Sequence, residues 1–150
     1  MTEIPSDGLS DEEIREILSL KNVAVVGMSR DPSKPSHYVP KFLLRHGYNV
    51  IPVNPFADEI LGLKSYKSLT DIPVELDIVN IFRPSDQVYQ VVQEAVIKNP
   101  KVVWMQLGIY NEEAVRLARQ KMIKVVWNRC MMQEHNRLFG TKPFVSIGKL

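Results

Sequence analysis

From one end to the other, the chain alternates between short β-branched runs and amphipathic helical stretches, and few architectures accept that pattern. Residues Asn22–Val26, Asn49–Val53, Leu76–Phe82, Lys101–Met105 and Lys124–Trp127 are such runs. Continuous apolar strands of this kind suit a parallel sheet buried on both faces. Between them, Tyr38–His46 places Val39, Phe42 and Leu43 on one helical face, and Gly47 stops it. Asp86–Lys98 spaces Val88, Val91, Val92, Ala95 and Val96 at helical intervals. Asn111–Lys121 opens with an Asn N-cap and two glutamates in its first turn, which the helix dipole favours. Ahead of the first strand, Ser10 and Glu13 form a capping box before Ile14, Ile17 and Leu18, predicting a helix over residues 10–19.

This order predicts an α/β fold, a doubly wound, five-stranded parallel sheet with helices on both faces. Numbering these strands along the chain, right-handed crossovers and nucleotide-fold precedent predict the order 3-2-1-4-5. No linker or composition shift divides the 150 residues, so 1–150 read as one domain with a core over 21–138 and a tail over 139–150. The long connection Ala57–Pro73 carries Leu69 and Ile72, which suggest a single helical turn. The tail after Phe139, residues 140–150, reads as a sixth edge strand or a loose strap, and Phe144–Ile147 as an exposed edge within it would serve a homodimer.

Composition narrows the function classes. Hydrophobic residues at 45% and charged residues at 24% exclude a disordered chain. No apolar run approaches the roughly 18 residues that span a bilayer, and the acidic N-terminus is no signal peptide. A net charge of +2 without a Lys/Arg cluster argues against nucleic acid as a partner. The single cysteine, Cys130, excludes an internal disulfide and a cysteine-rich metal site, and a reduced, cytoplasmic protein is the expectation.

In open parallel sheets ligands bind beyond the carboxyl ends of the strands, where the winding reverses. The predicted order puts that point between the first and fourth strands, and directs attention to Gly27–Ser36, Asn54–Phe56, Phe82–Ser85 and Gln106–Tyr110. The first segment follows a strand and precedes a helix, as a phosphate loop does. Gly27 permits a sharp turn, Ser29 and Ser36 offer hydroxyls, Arg30 and Lys34 offer cations, and the next helix offers its N-terminus. It is neither a dinucleotide fingerprint, since Ser29 and Pro32 replace the later glycines, nor a Walker loop. A phosphate loop and an ordinary polar loop both fit. The second strand ends Val53-Asn54-Pro55, without the carboxylate that accepts ribose hydroxyls in NAD sites. That favours a ligand phosphorylated on its adenosine ribose, NADP or coenzyme A. Phe82 and Arg83 read either as cleft residues or as a core cap and a solvated cation. Gln106 and Gly108 read either as a contact with the far end of a ligand or as a turn.

Taken in order, these residues resemble the CoA-binding domain family, Rossmann-like proteins similar to the nucleotide-binding domain of the succinyl-CoA synthetase alpha subunit. The resemblance spans Lys21–Leu138. It rests on Val25-Val-Gly-Met-Ser29 with Lys34-Pro-Ser36, Pro52-Val-Asn-Pro55, Ile60-Leu-Gly62 with Tyr66, and Asp77 with Phe82. It continues through Val103-Trp-Met-Gln-Leu-Gly108 with Asn111-Glu-Glu-Ala114, and Asn128-Arg-Cys130 with His135. It implies that the 3′-phospho-ADP of coenzyme A lies over Gly27, Met28 and Ser29, with Ser29, Arg30 and Lys34 on phosphates. Asn54 and Pro55 would flank the adenosine, Phe82 and Arg83 would line the cleft, and Val53 is counted with the binding residues. Asn128 stands where the family pattern has Asp, which weakens an acid–base role at that end of the sheet.

No catalytic or metal site is expected. The synthetase works through a phosphorylated histidine in another domain and an ATP-grasp subunit, for which this chain has no room. His37, His46 and His135 each read as structural. The leading expectation is a binding, sensing or carrier module for coenzyme A or an acyl-CoA, presented to a protein partner or working as a homodimer. The alternatives are an NADP- or NAD-dependent enzyme and a CoA-thiol redox protein using Cys130 beside Arg129.

Overall fold

The structure is a computed structural model describing residues 3–140. Along the chain run α1 (Asp11–Leu18), β1 (Asn22–Val26), α2 (Pro35–Arg45), β2 (Asn49–Val53), a small hairpin of β3 (Glu59–Ile60) and β4 (Leu63–Lys64), and β5 (Ile78–Ile81). These are followed by α3 (Val88–Lys98), β6 (Val102–Met105), α4 (Glu112–Gln120), β7 (Lys124–Val126) and α5 (Met131–Phe139). The expected caps are present. Ser10 Oγ accepts the Glu13 N–H at 3.1 Å while Glu13 Oε1 accepts the Ser10 N–H at 3.0 Å. Asn111 Oδ1 accepts the Ala114 N–H at 2.9 Å. The Leu69/Ile72 turn forms as a 3₁₀ turn over Leu69–Asp71, with both side chains buried.

Helix α2 begins at Pro35 rather than at the expected Tyr38, because a proline at the first helical position loses no hydrogen bond and presets φ. Pro40, inside the helix, has no N–H to offer the Ser36 carbonyl. That carbonyl accepts the Ser29 N–H at 3.1 Å instead, tying the helix to the loop after β1.

Side chains alternate between two cores. Ala24, Val26, Val79, Ile81 and Val103 face Val88, Val92, Ala95, Ala114 and Ala118 of α3 and α4. Val23, Val25, Ile78, Trp104 and Val126 face Ile14, Ile17, Leu43 and Met131 of α1, α2 and α5. A sheet covered this way explains strands without polar alternation.

The large sheet is parallel, with order β2-β1-β5-β6-β7. The doubly wound fold stands, and the position of one strand is corrected. Residues 78–81, expected beyond β2, pair with the other edge of β1, from Val23↔Ile78 to Val26↔Ile81. The place beyond β2 belongs to a single parallel bridge, Val53↔Tyr66. There the Tyr66 N–H donates to the Pro52 carbonyl at 3.0 Å and the Asn54 N–H to the Tyr66 carbonyl at 2.9 Å. Pro52 has no N–H to donate outward, so pairing on that edge does not extend back along β2. Counting the Tyr66 bridge as the third strand restores the expected winding. The proposed tail strand Phe144–Ile147 lies outside the described residues. No described helix is long and apolar enough to cross a membrane.

Candidate functional site

From β1 the chain leaves toward α2 on one face of the sheet, and from β5 toward α3 on the other. The crevice therefore opens between β1 and β5, not between 22–26 and 101–105 as expected. Its floor is Gly27. With φ at +85°, a Cβ on this residue would stand 2.3 Å from the Phe82 carbonyl oxygen, so only glycine lets the two strand ends approach this closely. The Gly27 N–H donates to the Val53 carbonyl at 3.0 Å and the Phe82 N–H to the Val26 carbonyl at 2.9 Å, joining the three strand tips.

The loop above Gly27 is held by its own polar groups. The Ser29 carbonyl receives His37 Nδ1 at 2.7 Å, which makes the buried His37 a positioning residue bonded through a protonated Nδ1. Ser29 Oγ accepts the Asp31 N–H at 3.0 Å, leaving its O–H to donate into the cleft. The Ser33 N–H and hydroxyl both reach Asp31 Oδ1, at 3.0 and 2.8 Å, and hold that carboxyl below its ordinary pKa. Asn54 is spent on the scaffold: its Nδ2 donates to the Met28 carbonyl at 2.9 Å and its Oδ1 accepts the Phe56 N–H at 2.7 Å.

The resulting cleft encloses about 610 Å³. It brings together the predicted Gly27, Met28, Ser29, Lys34, Ser36, Val53, Asn54, Pro55, Phe82 and Arg83. Arg30, Gln106 and Gly108 do not line it. The sequence reading missed Lys67 and a wall made by Gln87, Gln90, Val91 and Glu94. That wall follows the i, i+3, i+4, i+7 face of one helical stretch, a signal present in the sequence beside the apolar one. Phe56, in a segment singled out for inspection, lies at the cleft with 89% of its surface exposed. Lys67 follows the Tyr66 bridge, and nothing local to the sequence marks it.

Three cations, Lys34, Lys67 and Arg83, meet one carboxylate, Glu94, on the cleft walls. Glu94 Oε1 accepts the Leu69 N–H. Arg83 Nη2 donates to Gln87 Oε1. None of the three cations takes part in an ion pair among the described residues. Helix α2 starts behind Lys34 with no side-chain cap. Pro35 has no N–H, and the His37 and Tyr38 N–H groups donate to the Lys34 carbonyl at 2.9 and 3.1 Å. Of the first turn of α2, the Ser36 amide, beside the cleft, is the one outside these bonds. Three cations against one bonded carboxylate give the cleft lining an excess of positive charge.

The tips of β6 and β7 are closed. Gln106 is buried and its Oε1 accepts the Met131 N–H at 3.0 Å. The Gly108 N–H donates to Asn128 Oδ1 at 2.7 Å, giving Asn128 a structural role. Cys130, expected near the crevice mouth, is buried as the N-cap residue of α5. Its neighbour Arg129 is committed to Asp7 and Glu134, at 2.7 Å each. Among the described residues no group of three His, Cys, Asp or Glu side chains is placed to hold a metal.

The chain is 42% identical over 127 residues to the uncharacterized protein YneT of Bacillus subtilis, covering 84% of this chain and 94% of that one. It is 37% identical over 103 residues to the ADP-forming acetate–CoA ligase II of Archaeoglobus fulgidus, covering 67% of this chain and only 15% of the ligase. A hypothetical protein from Pyrococcus horikoshii superposes with a TM-score of 0.88 at 46% identity, over 93% of this chain and 100% of that one. Residues 21–136 match the family described as CoA binding domain. The chain belongs to the CoA-binding domain family.

Proposed function

We propose that the protein binds coenzyme A, or an acyl-CoA, through its 3′-phospho-ADP portion, and that it works as a binding, sensing or carrier module without catalysis of its own. The observation that carries this reading is the unpaired positive charge at the switch point: Lys34, Lys67 and Arg83 face one carboxylate that is already bonded. The chain's own groups fit the ligand. Gly27 leaves room where a Cβ would clash, and the Ser29 hydroxyl, the Lys34 ammonium and the Ser36 amide at the start of α2 suit a pyrophosphate. The exposed ring of Phe56 suits the flat face of an adenine.

Similarity to YneT over nearly its whole length supports a stand-alone module, and similarity to a small part of an acetate–CoA ligase supports the ligand. A single buried Cys130 supports a reducing, cytoplasmic setting. Its burial away from the cleft favours the binding reading over thiol chemistry.

Calorimetric titration of the full chain with coenzyme A, dephospho-CoA, NADP and NAD tests the reading. Binding of coenzyme A well above the other three supports it. Binding of NADP instead, or of none, overturns it. Lys34→Ala is expected to lose about 1.5–3 kcal/mol of coenzyme A affinity, the scale of a hydrogen bond to a charged group. An unchanged affinity removes Lys34 from the site.

A further inference from the structure

The three cations of the cleft do not stand together. Lys34 precedes the first turn of α2. The Arg83 side chain passes over Gly27, where its Cδ would lie 3.1 Å from an added Cβ. Both are therefore at the first strand-to-helix turn, where folds of this winding hold a pyrophosphate.

Lys67 stands at a different strand end. Tyr66 bridges Val53 in parallel, and its carbonyl accepts the Asn54 N–H at 2.9 Å. The next residue, Lys67, thus leaves the ladder alongside Asn54 and Pro55, at the carboxyl end of β2, and lines the cleft there. In doubly wound nucleotide-binding folds this strand end reads the adenosine ribose, and an acid there selects unmodified hydroxyls. No acid occupies it here. The Asn54 amide is spent on the Met28 carbonyl and the Phe56 N–H, and the wall carboxylate Glu94 is spent on the Leu69 N–H. Lys67 is left exposed and outside every ion pair among the described residues. A flexible ammonium in that position complements a ribose-bound phosphate, and it repays no internal partner when the ligand arrives.

We infer that Lys67 recognises the phosphate on the adenosine ribose and so sets the preference for coenzyme A over dephospho-CoA. This rests on the coenzyme A reading above and assigns the discriminating contact within it. Lys34 and Arg83 serve the pyrophosphate, which both ligands share, and contribute to both affinities alike.

The test is calorimetric titration of the full chain, wild type, Lys67→Met, Lys67→Arg and Lys34→Ala, with coenzyme A and with dephospho-CoA at two salt concentrations. Lys67→Met is expected to weaken coenzyme A about tenfold or more, leave dephospho-CoA unchanged, and flatten the salt dependence of coenzyme A binding. Lys67→Arg keeps most of the discrimination, and Lys34→Ala weakens both ligands by a similar factor. Discrimination by Lys67→Met equal to wild type, or equal weakening of both ligands, overturns the assignment while leaving coenzyme A binding in place. A wild-type chain that binds no coenzyme A removes the proposed function and this assignment together.

Discussion

One edge of one parallel sheet ends in two different ways. Over β1, β2 and β5 the strand tips open into a cleft of about 610 Å³ whose three cations form no ion pair among the described residues. Over β6 and β7 nearly every strong group is spent. Arg129 donates to both oxygens of Asp7 at 2.7 and 2.9 Å, to the Leu9 carbonyl at 3.2 Å and to Glu134 at 2.7 Å. Trp104 Nε1 donates to the Arg129 carbonyl at 2.8 Å, and Trp127 Nε1 to the Pro5 carbonyl at 2.6 Å. On the neighbouring β5, Asn80 Oδ1 is buried near Gln106 without a partner among the described residues. Cations stand at both ends, so the presence of charge does not mark a site. What marks it is a charge whose partner the fold has not supplied.

The largest effect that sharpens the contrast lies in the closed half. Arg129→Ala leaves the Asp7 side chain, 1% exposed, without its counter-charge and is expected to cost about 3 kcal/mol of stability. Coenzyme A affinity of the folded protein is expected to stay the same. Denaturant unfolding with and without ligand reads both, and a selective loss of affinity would break the division between the halves.

A matched pair of glycines probes the same division. Gly27 and Gly108 share a left-handed backbone, at φ +85° and +81°, but an added Cβ meets the Phe82 oxygen at 2.3 Å in the first and nothing within 4 Å in the second. Gly27→Ala is expected to cost about 2–3 kcal/mol and abolish binding, from strain plus overpacking. Gly108→Ala is expected to cost about 1 kcal/mol and leave binding intact. Equal binding by the two variants would show that the approach of β1 to β5 is not what shapes the cleft.

The smallest effect is a pH dependence centred on α5. Burial, with His46 and Lys21 nearby, holds His135 of α5 below its ordinary 6.5. Its ring lies 5.5 Å from His46, 5.6 Å from Phe42, 5.9 Å from Tyr48 and 5.0 Å from Phe139. The neutral form is favoured in the fold, so this stability is complete above 6.5 and is lost as pH falls through the lower folded value. Burial raises the Glu134 carboxyl, but hydrogen bonds from Arg137 and Arg129 outweigh it and keep the group below 4.5. Its contribution is present above that value and is lost at more acid pH. Unfolding midpoints should therefore fall in two stages on acidification, and His135→Leu should remove the first. A first stage that survives this substitution assigns it elsewhere.

The parts legible in the sequence share a short range. The capping box at Ser10 and Glu13, the Asn111 cap and the strand runs each depend on residues within one turn or one strand, and the structure reproduces them. Most residues of the loop after β1 that line the cleft were legible too, because a strand, a glycine and a helix start adjoin one another. Lys67 was not, since its place depends on a one-residue bridge between Tyr66 and β2. Gln106, Gly108 and Cys130 were drawn into the crevice by their position after strands. The partner that closes that half, Asp7, lies 122 residues from Arg129.

The sequence alone determined the alternation of strands and helices, the helix caps and a glycine turn after the first strand, because hydrophobic period, capping and turn sterics act between near neighbours. Only the tertiary structure decided that residues 78–81 sit against β1, and that Arg129 is neutralised while Lys34 and Lys67 are not. Electrostatic pairing depends on which distant segments come within a few ångströms of each other, and local pattern does not encode that distance.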